Sequence, residues 1–369
     1  RRLQSVVRGT DAIARLGGDE FALILRLDMD DAALQKYGQR IINVFQAPYT
    51  EGGQEVNVTC SAGVATFPED ASDIDGLISN ADTAMYRAKE MGKNRYVRFE
   101  ASMNQAAARR HAIEIALRAE LEHGDGLSMH YQPLISAADA SLVGAEALLR
   151  WTHAELGNVS PMEAISVAED CGLIVALGYW TMRAACRDAA SWGAGKSLRV
   201  AVNISARQLG DPQFLQRVMD ILREEGLPAH RLEIELTETV LMENMEAGAH
   251  TLHRLSQLGI HLAIDDFGTG YSSLAYLRQL PMQRLKIDRS FVKDLPQQEN
   301  SRTIVTAIVA LAHGLGLQVT AEGVETREQA DHLIGQGCDI LQGYVFARPM
   351  PAQQFLAFQQ EHRADRWMN

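Results

Sequence analysis

Cysteine is scarce: the 369 residues contain four (Cys60, Cys171, Cys186 and Cys338), far apart and never as CxxC. That excludes a disulfide framework or a cysteine-rich zinc site. It fits free thiols in a reducing compartment, with Cys171 and Cys186 buried in helical surroundings. Long apolar runs are missing too. No stretch approaches about 18 uninterrupted apolar residues, which excludes a membrane-spanning helix in this chain. There is no signal peptide and no initiator Met. The chain opens on Arg1-Arg2 inside a helical pattern, which reads as a cut through a longer protein and leaves room upstream for an anchor or a sensor. Positive charge is in deficit at a net -12, so no general DNA- or RNA-binding surface is expected. An anionic ligand would need local cations or metal ions. The eleven histidines show no metal-ligand spacing.

What is there suits a globular chain: 46% hydrophobic and 22% charged residues, signs mixed, enough for a sizeable core and two domains. Residues 1–99 read as part of an α/β sandwich. A hairpin, AIARLGGDEFALILRL, pivots on Gly17 and Gly18, which supply positive φ. A helix over 31–47, a strand EVNVTCSAGVATF and a helix over 75–91 follow. The second helix has Ile78, Ala81, Ala84, Met85 and Ala88 on its inner face and Gly92 as its stop. Residues 100–122 form a connecting helix, with no Pro- or Ser-rich linker, so a stiff joint is expected.

From about 126 to 350, strand-like runs alternate with helices near 161–177, 179–192, 212–225, 244–258, 301–314 and 327–336. That is the size and pattern of a TIM-like (β/α)8 barrel. A doubly wound open sheet would show similar alternation. Ile234 and Leu236, Leu262 and Ile264, and Leu285 and Ile287 take one face, under outer helices. Glu233 and Glu235, His261, Ala263 and Asp265, and Arg284 and Lys286 take the other, facing the lumen. Seven apolar runs each carry a polar residue near the end: Glu146, Asn203, Glu235, Asp265 with Asp266, Lys286, Glu322 and Gln342. A buried unpaired charge is costly, so repeated carboxylates at strand ends point to a site, where the ends of a barrel converge. Carboxylates and an amide are oxygen donors suited to Mg2+ or Mn2+. Two such ions can activate water and stabilise both oxygens in a phosphoryl displacement. Lys286 would balance charge, and Arg150 would clamp a phosphate. Glu233 reads as a lumen salt bridge, and Glu238 and Glu243 as helix-flanking acids.

GAEALLRW, VNIS, ELTE, IDDFGTGYSSL, LKIDRSFV, AEGVE and LQGYVFARP, in this order, resemble the signature of EAL-domain cyclic di-GMP phosphodiesterases over residues 108–361. The resemblance implies that Glu146, Asn203, Glu235, Asp265, Asp266 and Glu322 hold two Mg2+ or Mn2+ ions. It implies that Lys286 and Gln342 position the attacking water, that Gln132 and Arg150 touch ligand, and that Asp288 meets a guanine. Glu325 would pin the DDFGTGYSS loop, which in the family couples dimer contact to metal binding. Hydrolysis of cyclic di-GMP to linear pGpG by a cytoplasmic homodimer in bacterial second-messenger signalling follows, without a DNA or RNA partner. An inner-membrane anchor in the intact protein stays open. Residues 362–369 are a tail.

The front segment, RGTDAIARLGGDEF with ADTAMYRAKEMGKNRY, resembles the back portion of a GGDEF diguanylate cyclase domain, a nucleotidyl-cyclase-like α/β fold. Gly17, Gly18, Asp19, Glu20 and Phe21 match its signature, and Lys89 and Lys93 its phosphate-contacting positions. Arg8 and Asp11 match an RxxD inhibitory site for cyclic di-GMP. The family's earlier metal-binding Asp and its guanine motif would lie upstream of Arg1, so this truncated half is not expected to cyclise GTP. In the intact protein it is a cyclase or a GTP-sensing regulator. Competing readings are a silent cyclic di-GMP receptor, a synthase, and another metal-dependent barrel enzyme such as a dehydratase.

Overall fold

The computed structural model describes residues 2–26, 31–51, 54–192, 198–243, 245–268 and 277–361. The predicted tail and most of the DDFGTGYSS loop lie outside these. Contacts divide the chain into Arg1–Ala112 and Ile113–Asn369, and the division falls inside the helix Ala101–His123.

In the first unit, β1 (Ala12–Gly17) and β2 (Glu20–Ile24) form an antiparallel hairpin. Gly18 alone takes positive φ (48°) at the turn, where Arg15 donates to its carbonyl at 3.0 and 2.6 Å; Gly17 does not. The helix expected over 31–47 stops earlier, as Asp31–Asn43. The single strand expected over 55–67 divides between two pairings. β3 (Tyr49–Glu51) pairs antiparallel with β4 (Gln54–Val56), and β5 (Ala62–Val64) pairs parallel with β6 (Tyr96–Arg98). The helix Ile74–Glu90 is capped by Asp73, whose Oδ1 accepts from Gly76 N at 2.7 Å. It lies close on β5 because Gly63 has no side chain; a Cβ there would run into the backbone of Ala81 and Met85. Ala84 and Ala88 are buried as expected, but Ile78 is 53% exposed.

In the second unit eight strands close on themselves. In chain order they are β7 (Leu127–Ser136), β8 (Leu142–His153), β10 (Arg199–Asn203), β11 (Leu232–Thr237), β12 (His261–Phe267), β13 (Arg284–Ile287), β14 (Gln318–Ala321) and β15 (Ile340–Leu341). Two short strands, β9 (Gly157–Val159) and β16 (Met350–Pro351), pair with β8 and β7 outside the ring. This is the TIM-like barrel with one departure: β7 runs antiparallel to both of its neighbours. The reason is local. The five residues 137–141 make a tight connection, with Ala140 at φ 54° and Ser141 Oγ donating to Asp139 Oδ1 at 2.7 Å. A turn that short can join only antiparallel strands.

Alternation along the strands holds as expected. Ile234, Leu236, Leu262, Ile264, Leu285 and Ile287 are fully buried in the cluster under the helices, worth about 1.5–3 kcal/mol each. The helix expected over 161–177 breaks at Gly172 (φ 79°) into Pro161–Cys171 and Ile174–Ala190. All four cysteines are free. Cys186 and Cys338 are buried, with thiols pushed up to about 12 by burial, while Cys171 is only half-buried.

Candidate active site

Parallel register brings the polar strand ends to one rim. Ala201 is level with Glu146, Asn203 with Glu235, and Glu235 with Ala263. Glu322 follows β14 directly, its N–H bonded to Ile287 O at 3.2 Å, and Gln342 follows β15. At the centre is Lys286, 1% exposed. Its Nζ lies 2.6 Å from Glu322 Oε1, 2.8 Å from Glu235 Oε2, 3.1 Å from Asp265 Oδ1 and 3.7 Å from Glu146 Oε2. Asn203 donates to Glu146 Oε1 at 2.9 Å. Gln342 donates to Glu146 Oε2 at 2.7 Å and to Gln132 Oε1 at 3.1 Å. Seven segments of the chain therefore meet around one ammonium.

The charges do not balance. Five carboxylates (Glu146, Glu235, Asp265, Asp266, Glu322) face that one ammonium. Burial, reinforced by Glu146, Asp265 and Glu233, holds the Glu235 carboxyl well above its ordinary range despite Lys286. Burial likewise pushes Glu322 up to about 8. Asp266 is raised by burial, then by Asp265 and Asp288. For Lys286 burial works downward, but Asp265, Glu146, Glu235 and Glu322 outweigh it and hold the ammonium firmly protonated. Carboxyls this crowded ionise together only when cations join them.

Two acidic triads could hold ions: Glu146, Glu235 and Asp265, and Asp265, Asp266 and Glu322, each with oxygens within 4.8 Å of one another. They share Asp265. Glu235 Oε1 and Gln342 Oε1 are buried without a hydrogen-bond partner among the described residues. An all-oxygen set with an orphaned buried carboxylate oxygen fits hard divalent cations.

The second triad depends on a distortion that alternation alone does not show. Pairing between β12 and β13 slips between Ile264 and Phe267, and Asp266 takes φ 53°. Its N–H bonds Asp265 Oδ1 at 2.9 Å, and the two adjacent carboxylates face the same site. Left-handed backbone at a non-glycine residue costs about 1–3 kcal/mol and concentrates at functional sites.

Glu238 is also more than a helix-flanking acid. It is 3% exposed, and its Oε2 accepts from Gly268 N at 3.2 Å, holding the base of the loop that follows Asp266. The ELTE spacing, with a second acid three residues after Glu235, was the available signal. Glu325, the expected loop anchor, is exposed, and its N–H bonds Gln329 Oε1 at 2.8 Å. Residues 269–276, its expected partner, lie outside the described residues.

At the rim Gln132 is buried and donates to Ala347 O at 3.3 Å. Arg150 is half-buried; its Nη1 donates to Leu149 O at 2.7 Å, and burial lowers the affinity of its guanidinium for a proton. Asp288 is turned to a structural task, capping the short helix Arg289–Val292 by accepting from Ser290 N at 3.0 Å.

In the first unit Gly17, Gly18, Asp19 and Glu20 are exposed at the hairpin tip, while Lys89 and Lys93 are exposed at and beyond the end of the helix Ile74–Glu90. Asp11 accepts from Arg8 N at 2.7 Å, closing its own turn, while Arg8 is exposed. Among the described residues, no metal-sized acidic grouping occurs in this unit.

Comparison with known proteins matches residues 114–349 to the EAL domain and residues 1–95 to the diguanylate cyclase GGDEF domain. The chain is 42% identical over 352 residues to the cyclic di-GMP phosphodiesterase PdeR of Escherichia coli, covering 95% of this chain and 53% of that one. It is 41% identical over 360 residues to the bifunctional diguanylate cyclase/cyclic di-GMP phosphodiesterase MucR of Pseudomonas aeruginosa, covering 96% and 52%. It thus spans about half the length of these relatives. Among solved structures, the PaMucR phosphodiesterase in complex with c-di-GMP matches with TM-score 0.63 and 41% identity, over 66% of this chain and 99% of that one.

Proposed function

That the chain belongs to the EAL-domain family, with a GGDEF segment ahead of the EAL domain, is the premise from which we propose its activity: metal-dependent hydrolysis of cyclic di-GMP to linear pGpG. The observation that carries the reading is the ring around Lys286, where two acidic triads share Asp265 and leave a buried Glu235 oxygen unpaired. Glu146, Asn203, Glu235, Asp265, Asp266 and Glu322 would hold two Mg2+ or Mn2+ ions. Such ions, when bound, supply Lewis acidity toward a phosphodiester and acidify water.

The protein's own part is orientation and charge. Lys286 keeps an ammonium at the centre of the cage, within reach of developing negative charge. Gln342 ties Glu146 to Gln132, fixing the carboxylate from the side. Arg150, held at the rim, offers a guanidinium to a substrate phosphate. A silent receptor would need the cage to be incomplete, yet every acid of both triads is present. The same proposal includes a homodimer formed through the EAL unit, GTP as ligand of the GGDEF unit in the whole protein, and a cytoplasmic setting.

The test is incubation with cyclic di-GMP and Mg2+ or Mn2+, followed by chromatography. Accumulation of pGpG that stops on chelation is the expected result. Binding of the dinucleotide without turnover in either metal would overturn hydrolysis in favour of a receptor.

A further inference from the structure

Beneath the cage the lumen holds a second charged layer that the proposed chemistry does not use. Glu233 and Arg284 are 1% and 3% exposed, with Arg284 Nη1 2.8 Å from Glu233 Oε1. Each stands two residues before a member of the cage on the same strand: Glu233 before Glu235 on β11, and Arg284 before Lys286 on β13. The two ion pairs therefore stack as rungs, and the upper one also closes at 2.8 Å. Between these strands β12 presents Ala263, whose single methyl leaves room for partners to meet across it. Arg199 approaches Glu233 Oε2 at 3.5 Å from the partly exposed edge of the layer. Burial, then Arg199, holds the His261 imidazole below its ordinary range, against Glu233 and with a smaller push from Arg284. The layer is one carboxylate between two guanidiniums. A buried pair of this kind adds little stability over apolar residues of the same volume, so stability is a weak reason for it.

We propose that the Glu233–Arg284 pair is a charge-balancing floor that sets the divalent-cation affinity of the carboxylate cage above it. The inference rests on the metal reading given above. Two strand residues place the layer about 7 Å below the cage. A unit charge roughly 10 Å from a divalent ion, at an effective dielectric of about 20 to 40, changes its affinity about tenfold or more. The sign differs between the partners. Without the Glu233 charge, two guanidiniums oppose the incoming cation; without Arg284, one repulsive charge is gone.

The test is calorimetric titration of Mn2+ into the chelator-stripped chain, as wild type, Glu233→Gln, Arg284→Met and the double variant, with folding checked by circular dichroism. Expected are about tenfold weaker binding for Glu233→Gln, tighter binding for Arg284→Met, and a double variant within about threefold of wild type. A purely structural pair would weaken binding in both single variants, and that result, or no change in either, overturns the inference. Should Arg284→Met not fold, Glu233→Gln against the double variant decides, equal affinities being the overturning result. A wild type that takes up no Mn2+ overturns the metal reading and this inference with it. A wild type that binds while all variants match it overturns this inference alone.

Discussion

The two units carry equally recognisable signatures but treat them in opposite ways. In the barrel, five acids from four distant segments are drawn into one ring around Lys286. In the first unit the signature residues sit exposed on separate elements: Asp19 and Glu20 at a hairpin tip, Lys89 and Lys93 at a helix end. The packing differs in the same sense. Leu236, Leu262 and Leu285 are fully buried, whereas Leu16, Phe21, Ile24, Phe67 and Ile74 of the first unit are 48–74% exposed. A motif names the residues; a closed scaffold makes them neighbours.

The largest test of this contrast is catalytic. Glu146→Ala and Asp265→Ala should each lower cyclic di-GMP hydrolysis by about a thousandfold or more, because each removes an oxygen from the cage. Asp19→Ala, in the same assay of this chain, should leave the rate within about twofold, as expected of an exposed change away from the cage. A large loss for Asp19→Ala would break the comparison.

Stability should separate the units next. Leu236→Ala should cost the barrel about 2–5 kcal/mol in denaturant unfolding, while Ile78→Ala, at an exposed site, should stay within about 0.5 kcal/mol. Metal should act on one unit only: Mn2+ at about a hundred times its dissociation constant should stabilise the barrel by roughly 2.7 kcal/mol and leave the first unit's transition in place. Differential scanning calorimetry with and without chelator reads both. A smaller loss than that of Leu236→Ala is expected at the hairpin, where Gly18→Ala at φ 48° should destabilise the first unit by about 1–2 kcal/mol. Circular dichroism melts would show it.

Much of the barrel is legible in the chain because its signal is periodic. Ile234 and Leu236 alternate with Glu233 and Glu235, and a period of two on successive strands fixes which side faces the lumen. Glu235, Asp265 and Lys286 follow from that rule. The rest is local geometry without a period. The reversal of β7 rests on a connection of five residues, Ala137 to Ser141. Asp266 reaches the site through a slip in pairing and a positive φ, which parity alone assigns to the other face. Glu238 reads as a helix acid until its partner, the N–H of Gly268, is seen. Ile78 fits a helical period but is exposed, because periodicity shows that a face is apolar, not that a partner covers it.

The reversed strand has a consequence for how the molecule is made. During synthesis β7 and β8 can zip together as soon as both leave the ribosome, since a tight turn joins them. The other edge of β7 must wait for Ile340 and Leu341, about two hundred residues later, a long-range closure of the slow kind. Gln342 directly follows that final strand, and its 2.7 Å bond to Glu146 ties the last strand of the ring to an early one. A chain that stops short of Ile340 would lack both the second partner of β7 and this brace on Glu146.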